Sequence, residues 1–288
     1  MTWQIVVAMR VLLANVLFPF LNKKVARLPW VRLRLLMQFA MASVLAIIIA
    51  VCLRTNLEPR VFILIGVGVA SSFATYCQWK ANSINVSQTG IVNFWDDLIP
   101  MAAAYFFLGE GKFLNRDIGI GTLVSLLGII LLARESNGKW SRQFYLYVAG
   151  YSLIWGGTNF LMRLFALNNV SFGNFLVGWY CGGVVGSLIN VFIFKEPEIK
   201  KTDIRLQITD ALGILVLAVV IVASLVLGYQ SFHMAPVLVL QSIYMVCEII
   251  FVSLTGMFLL GEHKEFKRRE LFYYALAGAG AITVATSF

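Results

Sequence analysis

Long apolar runs separated by short polar stretches set the pattern of this chain. The runs cover 3–22, 33–53, 61–79, 86–108 and 118–133, then, after the polar break RESNGKWSRQ at 134–143, 144–167, 172–194, 208–230, 236–260 and 271–287. Each is close to the length that crosses ~30 Å of hydrocarbon as a helix. A helix satisfies its own backbone there, and an open strand edge does not. The pattern predicts an all-α integral membrane protein with ten transmembrane helices, five in 1–134 and five in 143–288. The first run starts without a basic segment and shows no small-residue cleavage site before Lys23, so it is expected to be a retained helix.

Composition agrees. Hydrophobic residues make up 60% of the 288 and charged residues 13%, where soluble domains run nearer 45–50% and about 25%. The net charge of +9 changes the picture only through its placement. Connections after the odd-numbered runs carry 17 Lys and Arg, counting Arg34 with the connection before its run. The others and the ends carry 5, counting Arg163 with the turn after its run. Basic residues mark cytoplasmic loops in membrane proteins, so the charge points to a bilayer rather than to nucleic acid. It predicts a multi-pass protein of the cell membrane with both ends outside the cytoplasm. Cys52, Cys77, Cys181 and Cys247 all lie in apolar runs without CxxC spacing, which suggests neither a disulfide framework nor a metal site.

Shifting the chain by 152 positions aligns it with itself. Phe106, Leu108, Gly109, Glu110, Lys112, Arg116, Gly128, Ile130 and Ala133 fall on Phe258, Leu260, Gly261, Glu262, Lys264, Arg268, Gly280, Ile282 and Ala285. Five helices per half is an odd number, so two similar halves must insert in opposite orientations. Inverted repeats are the usual build of secondary transporters, with the site near the midplane between the halves.

The fourth run holds the least expected chemistry: Asp96 and Asp97 sit amid the apolar NFWDDLIPMAAAYFF. An aspartate at the bilayer centre costs about 2.5–3.5 kcal/mol on insertion scales unless it faces protein, water or a partner. Thr89, Asn93, Asp96 and Pro100 form one helical stripe at spacings 0, 4, 7 and 11. The shift of 152 places Thr89 on Gln241 and Asp96 on Glu248, so the ninth run carries a matching stripe. Acids at matched depth in both halves suit a pseudo-symmetric cavity, where they would bind solute or carry protons. The plainer reading is a pair of structural buried acids. Asp97 points about 100° away from Asp96 and either shares that cavity or pairs with Arg10 or Arg163. Trp95, Trp155, Trp179, Tyr180 and Tyr244 are candidates for cation–π contacts. Asn159 and Arg163 share a face with Trp155. In the third run Ser71, Ser72, Thr75 and Gln78 either line the pathway or bond to neighbours. The tandem GxxxG of Gly178, Gly182 and Gly186 and the ALAGAGA at 275–281 read as close helix contacts.

LGEGKFLNRDIGIGTLVSLLGIILLA at 108–133, its echo LGEHKEFKRRELFYYALAGAGAITVAT, and WGGTNFLMR at 155–163 resemble the drug/metabolite transporter superfamily, EamA-like branch. The first run departs from that pattern, with Asn15 present but the preceding Trp-Gly missing. The resemblance implies a ten-helix carrier of small polar metabolites or drugs, a gating role for Glu110 and Glu262, and cytoplasmic ends, the reverse of the charge count. The expected function is secondary transport of a small polar metabolite such as an amino acid or organic amine, with an anionic solute or a non-transporting scaffold as alternatives. No cofactor or metal is expected, a homodimer stays open, and enzymatic motifs are missing. Gly111-Lys112 lacks the upstream glycine of a phosphate-binding loop, and no HExxH or Ser/His pattern occurs.

Overall fold

The apolar runs form helices in a computed structural model that describes residues 2–26, 31–135, 141–193, 208–261 and 268–288. Among these residues no strand occurs. Seven helices are long and apolar enough to cross a membrane: Trp3–Val25, Val31–Cys52, Arg60–Ile84, Arg116–Glu135, Phe172–Ile193, Asp210–Met234 and Val237–Leu259. Phe62, Phe106, Phe107, Phe192 and Phe258 stand on the outer surface, each more than 70% exposed. Such a surface is a liability in water and natural against acyl chains. The chain is a multi-pass helical membrane protein.

In chain order the α-helices are α1 (Trp3–Val11), α2 (Phe18–Ala26), α3 (Val31–Cys52), α4 (Arg60–Ile84), α5 (Val86–Val92), α6 (Trp95–Phe107), α7 (Arg116–Glu135), α8 (Arg142–Leu167), α9 (Phe172–Ile193), α10 (Ile208–Met234), α11 (Val237–Cys247) and α12 (Arg268–Ser287). Three runs are not simple helices. A wide, π-type segment, Leu12–Leu17, joins α1 to α2, and two more, Glu248–Val252 and Thr255–Leu259, continue α11. The run 86–108, expected as one helix, is broken at Asn93 and Phe94 into α5 and α6. Pro100 has no N–H for the Asp96 carbonyl, which weakens the ladder on the α6 side of the break. At the break itself the Asn93 carbonyl accepts from the Asp96 N–H at 3.1 Å, and the Asn93 side chain bonds to Glu248.

Glycine decides the closest contacts. A Cβ on Gly178, Gly182 or Gly186 of α9 would fall on Leu64, Ile65 and Val69 of α4. On the other side of the molecule, Gly121 of α7 abuts Gly280 of α12, and Gly128 abuts Ala277 and Tyr273. Close backbone approach of this kind is how helices gain packing energy without a hydrophobic drive from lipid. Gly182→Leu is expected to lower the melting temperature of the purified protein sharply or abolish a monodisperse size-exclusion peak. Gly66→Ala, where a Cβ meets nothing within 4 Å, should leave both unchanged.

Candidate functional site

The helix breaks place the acids. Asp96 and Asp97 occupy the first turn of α6, directly after the interruption, and Glu248 opens the π segment after α11. The Asn93 side-chain amide donates to Glu248 Oε1 at 2.6 Å. Ser152 of α8 donates to Asn93 Oδ1 at 3.4 Å. One carboxylate oxygen from each of Asp96, Asp97 and Glu248 lies within 4.8 Å of the others. Adjacent residues diverge along a regular helix, yet here both aspartates reach the same cluster. Tyr151 of α8 faces Asp96 and Glu248, and its hydroxyl accepts from Gln78 Nε2 of α4 at 3.1 Å.

The three acids open into a cavity of about 120 Å³, room for several waters or a small solute. Its walls come from both halves of the sequence. Arg10 and Asn15 line one side, Trp155, Asn159, Trp179 and Tyr180 another. Arg10 holds its guanidinium 3.6 Å from the centre of the Tyr244 ring. Gly228 leaves the space for it, since a Cβ there would sit 3.0 Å from Arg10 Nε.

The cavity has two chemically different ends. Cys77 lies against Gly150, Gln78 meets Tyr151, and Arg60 donates to the Asn168 carbonyl, so α4 runs antiparallel to α8. Gly68 of α4 abuts Trp179 and Gly182, which puts Trp179 and Tyr180 near the level of Asn159. Phe39 lies 6.4 Å from Tyr180, bringing Gln38 to that level too. Tyr151, at the acids, and Asn159 are eight residues apart on α8, about 12 Å along the axis. Trp155 lies between them, 6.4 Å from the Tyr151 ring and 5.8 Å from Trp179.

Other residues singled out by sequence fall elsewhere. Arg163 and Glu110 are buried and form an ion pair at 2.8 Å, so neither reaches the acids. Glu110 also accepts from the backbone N–H of Val237, the first residue of α11, at 2.7 Å, where helix dipole and unpaired N–H groups favour a carboxylate. Arg163 donates in addition to the Phe232 carbonyl. Thr89 bonds to the Asn85 carbonyl at 2.7 Å and Gln241 is fully buried, and neither lines the cavity. The continuous stripe needed an unbroken helix, and the turn at 93–94 rotates Thr89 away. Trp95 is 54% exposed and stacks on Phe94, away from the cavity. Thr75 and Gln78 line the cavity, whereas Ser71 and Ser72 do not and donate to the Gly68 and Val69 carbonyls of their own helix. Glu262 lies outside the described residues. All four cysteines are free thiols.

The reading from sequence missed Tyr151 and Gln38. A lone glutamine in the run 33–53 was the available signal for Gln38. Nothing distinguished Tyr151 from the other aromatics.

No family model matches the chain, and no curated protein does. Solved structures do match. One, described only as a crystal structure of a protein, superposes with a TM-score of 0.69 at 16% identity, over 99% of this chain and 96% of that one. The likeness shows a shared fold across the whole chain.

Proposed function

We propose that this chain is a secondary transporter of a small polar solute, an amino acid or organic amine, of the drug/metabolite transporter type and not an enzyme. It would cross the membrane ten times, as two inverted five-helix repeats that alternate around the central cavity. The observation that carries this reading is the meeting of Asp96 and Glu248, 152 positions apart and each beside a helix irregularity, on one cavity. Intramembrane acids are costly and mark solute or proton pathways, and irregular backbone at membrane depth is tolerated where it lines a cavity.

The packing of α7 on α12 supports the inverted repeat. These helices are equivalent under the shift of 152 and run antiparallel. The contact of Gly121 with Gly280 maps, under that shift, onto the contact of Gly128 with Tyr273, which is also made. Ser125 donates to the carbonyl of its own equivalent, Ala277, at 3.1 Å. Contacts that exchange in this way describe a local two-fold axis crossing the helices, the relation that opposite insertion of the halves requires. Elsewhere α4 packs on α8 and α9 while α10 packs on α1 and α3, the corresponding pairs.

Mechanistically, protons and a solute bearing a positive group would compete for the same three carboxylates. Loading from one side and release on the other then couples solute movement to a counter-flow of protons. Arg10 favours a second reading, an anionic metabolite, because its guanidinium sits against Tyr244 rather than a carboxylate and lines the cavity.

The test is counterflow in liposomes preloaded with each of a panel of amines, amino acids and organic acids. Uptake of the matching labelled solute, with movement of protons reported by an internal dye, is the expected result. Folded, reconstituted protein that exchanges no member of the panel would favour a non-transporting scaffold.

A further inference from the structure

The cavity carries more unanswered hydrogen-bonding capacity than its acids alone. Asp96 Oδ1 and Asp97 Oδ2 have no hydrogen-bond partner among the described residues at one end. At the other, Asn159 Oδ1, Gln38 Oε1 and the Tyr180 hydroxyl have none either, and these three side chains are each more than nine-tenths buried. Trp155 Nε1, between the ends, is also unpartnered. Buried polar atoms are nearly always satisfied in native proteins, so such a set, carried by side chains that line one cavity, points to a ligand that supplies the missing partners.

The chemistry of the set describes that ligand. Four of the six atoms are acceptors with no hydrogen of their own, so a ligand rich in hydrogen-bond donors fits them. Three carboxylates stand against one guanidinium, and that guanidinium is held on the Tyr244 ring, so the acid end suits a positive group. The far end offers amide and hydroxyl oxygens and no carboxylate, which suits a second donor. Between them the Trp155 and Trp179 rings suit an apolar, slender linker.

We infer that the cavity binds a short linear diamine, one ammonium among Asp96, Asp97 and Glu248 and the second nitrogen donating to Asn159 and Gln38. The two ends are about 12 Å apart along α8, and a hydrogen bond at each end leaves roughly 6–8 Å between the nitrogens. A five-carbon chain spans that distance. This assignment rests on the transport reading for its biological sense and deepens it by naming the solute class, but binding can be measured without transport.

The experiment is calorimetric titration of the full-length protein in detergent with 1,5-diaminopentane, pentylamine, 5-aminopentanoate and Mn²⁺, each sample first shown monodisperse by size exclusion. The diamine is expected to bind at least tenfold more tightly than pentylamine. Asp96→Asn and Glu248→Gln should each weaken diamine binding at least tenfold. Asn159→Leu should bring the diamine down to the affinity of pentylamine and leave pentylamine unchanged, a split that a merely structural Asn159 would not produce. Equal affinity for diamine and monoamine overturns the two-ended site. Tighter binding of 5-aminopentanoate, lost in Arg10→Gln, overturns it in favour of a zwitterion spanning the acids and Arg10. Tight Mn²⁺ binding without amine binding overturns it in favour of a metal, and so does no binding of any amine by folded protein. Counterflow in liposomes separates the two readings. A diamine that binds but is not exchanged sinks transport and leaves the site. Exchange of another solute without diamine binding does the reverse.

Discussion

Asp96→Asn is expected to abolish solute exchange while making the empty protein more stable. A hydrogen bond to a charged group contributes about 1.5–3 kcal/mol, so replacing this carboxylate costs about 10- to 150-fold in solute affinity, and proton coupling through Asp96 is lost as well. The stability effect has the opposite sign. Asp96 and Asp97 are buried, with Glu248 in the same cluster and, among the described residues, Arg10 as the positive group nearby. Crowded acids of this kind destabilise the fold that holds them, and relieving one is the familiar exchange of function for stability. A thermal melt without solute should therefore move up by a few degrees in Asp96→Asn, and counterflow should vanish. A melt that moves down, with counterflow intact, would make Asp96 a structural acid. Trp95→Ala is the control, one residue away in sequence but on the outer surface, and should change transport little.

A large loss of stability is expected from Glu110→Gln. Its carboxylate holds Arg163 Nε at 2.8 Å and the Val237 N–H at 2.7 Å, joining the end of α6 to α8 and to the start of α11. Removing one member of a buried pair leaves the other charge without its partner and typically costs about 3–5 kcal/mol. Arg163→Met should cost a comparable amount. The double variant Glu110→Gln, Arg163→Met should be less destabilised than the sum of the two, because neither uncompensated charge remains. Chemical denaturation or thermal melting of all four proteins measures the cycle. Additive losses would show that the two side chains act separately, contrary to their geometry. Arg163 also holds the Phe232 carbonyl near the end of α10, so the pair is a junction of four helices. It lies away from the acids, and a variant that still folds should keep its affinity for solute.

The acids illustrate how much of the site was legible. Asp96 and Glu248 stand out because an ionisable residue in an apolar run is rare for an energetic reason, and the shift of 152 relates them without any coordinates. Asp97 was ambiguous for an equally physical reason. Neighbouring helical residues point about 100° apart, and only the place of Glu248, on a segment remote in sequence, shows that both aspartates reach one cluster. The break at Asn93 removed Thr89 from a stripe that periodicity alone had drawn. Arg163 looked like a cavity base from its position one turn beyond Asn159, but its partner, Glu110, is 53 positions away in sequence and closer to it than any acid of the cavity.

What the sequence determined by itself is the all-helical membrane character, the placement of the runs, the similarity of the halves and the two matched acids. All of these follow from hydrophobicity and spacing, which act locally along the chain. Tertiary structure decided where the helices interrupt, that three carboxylates rather than two converge, that Tyr151 and Gln38 join them on the cavity, and that Arg163 is bound by Glu110. Those outcomes depend on which faces meet across helices remote in sequence. Close backbone contact at glycines and competition for buried hydrogen-bond partners settle that meeting, and neither is a property of any one run.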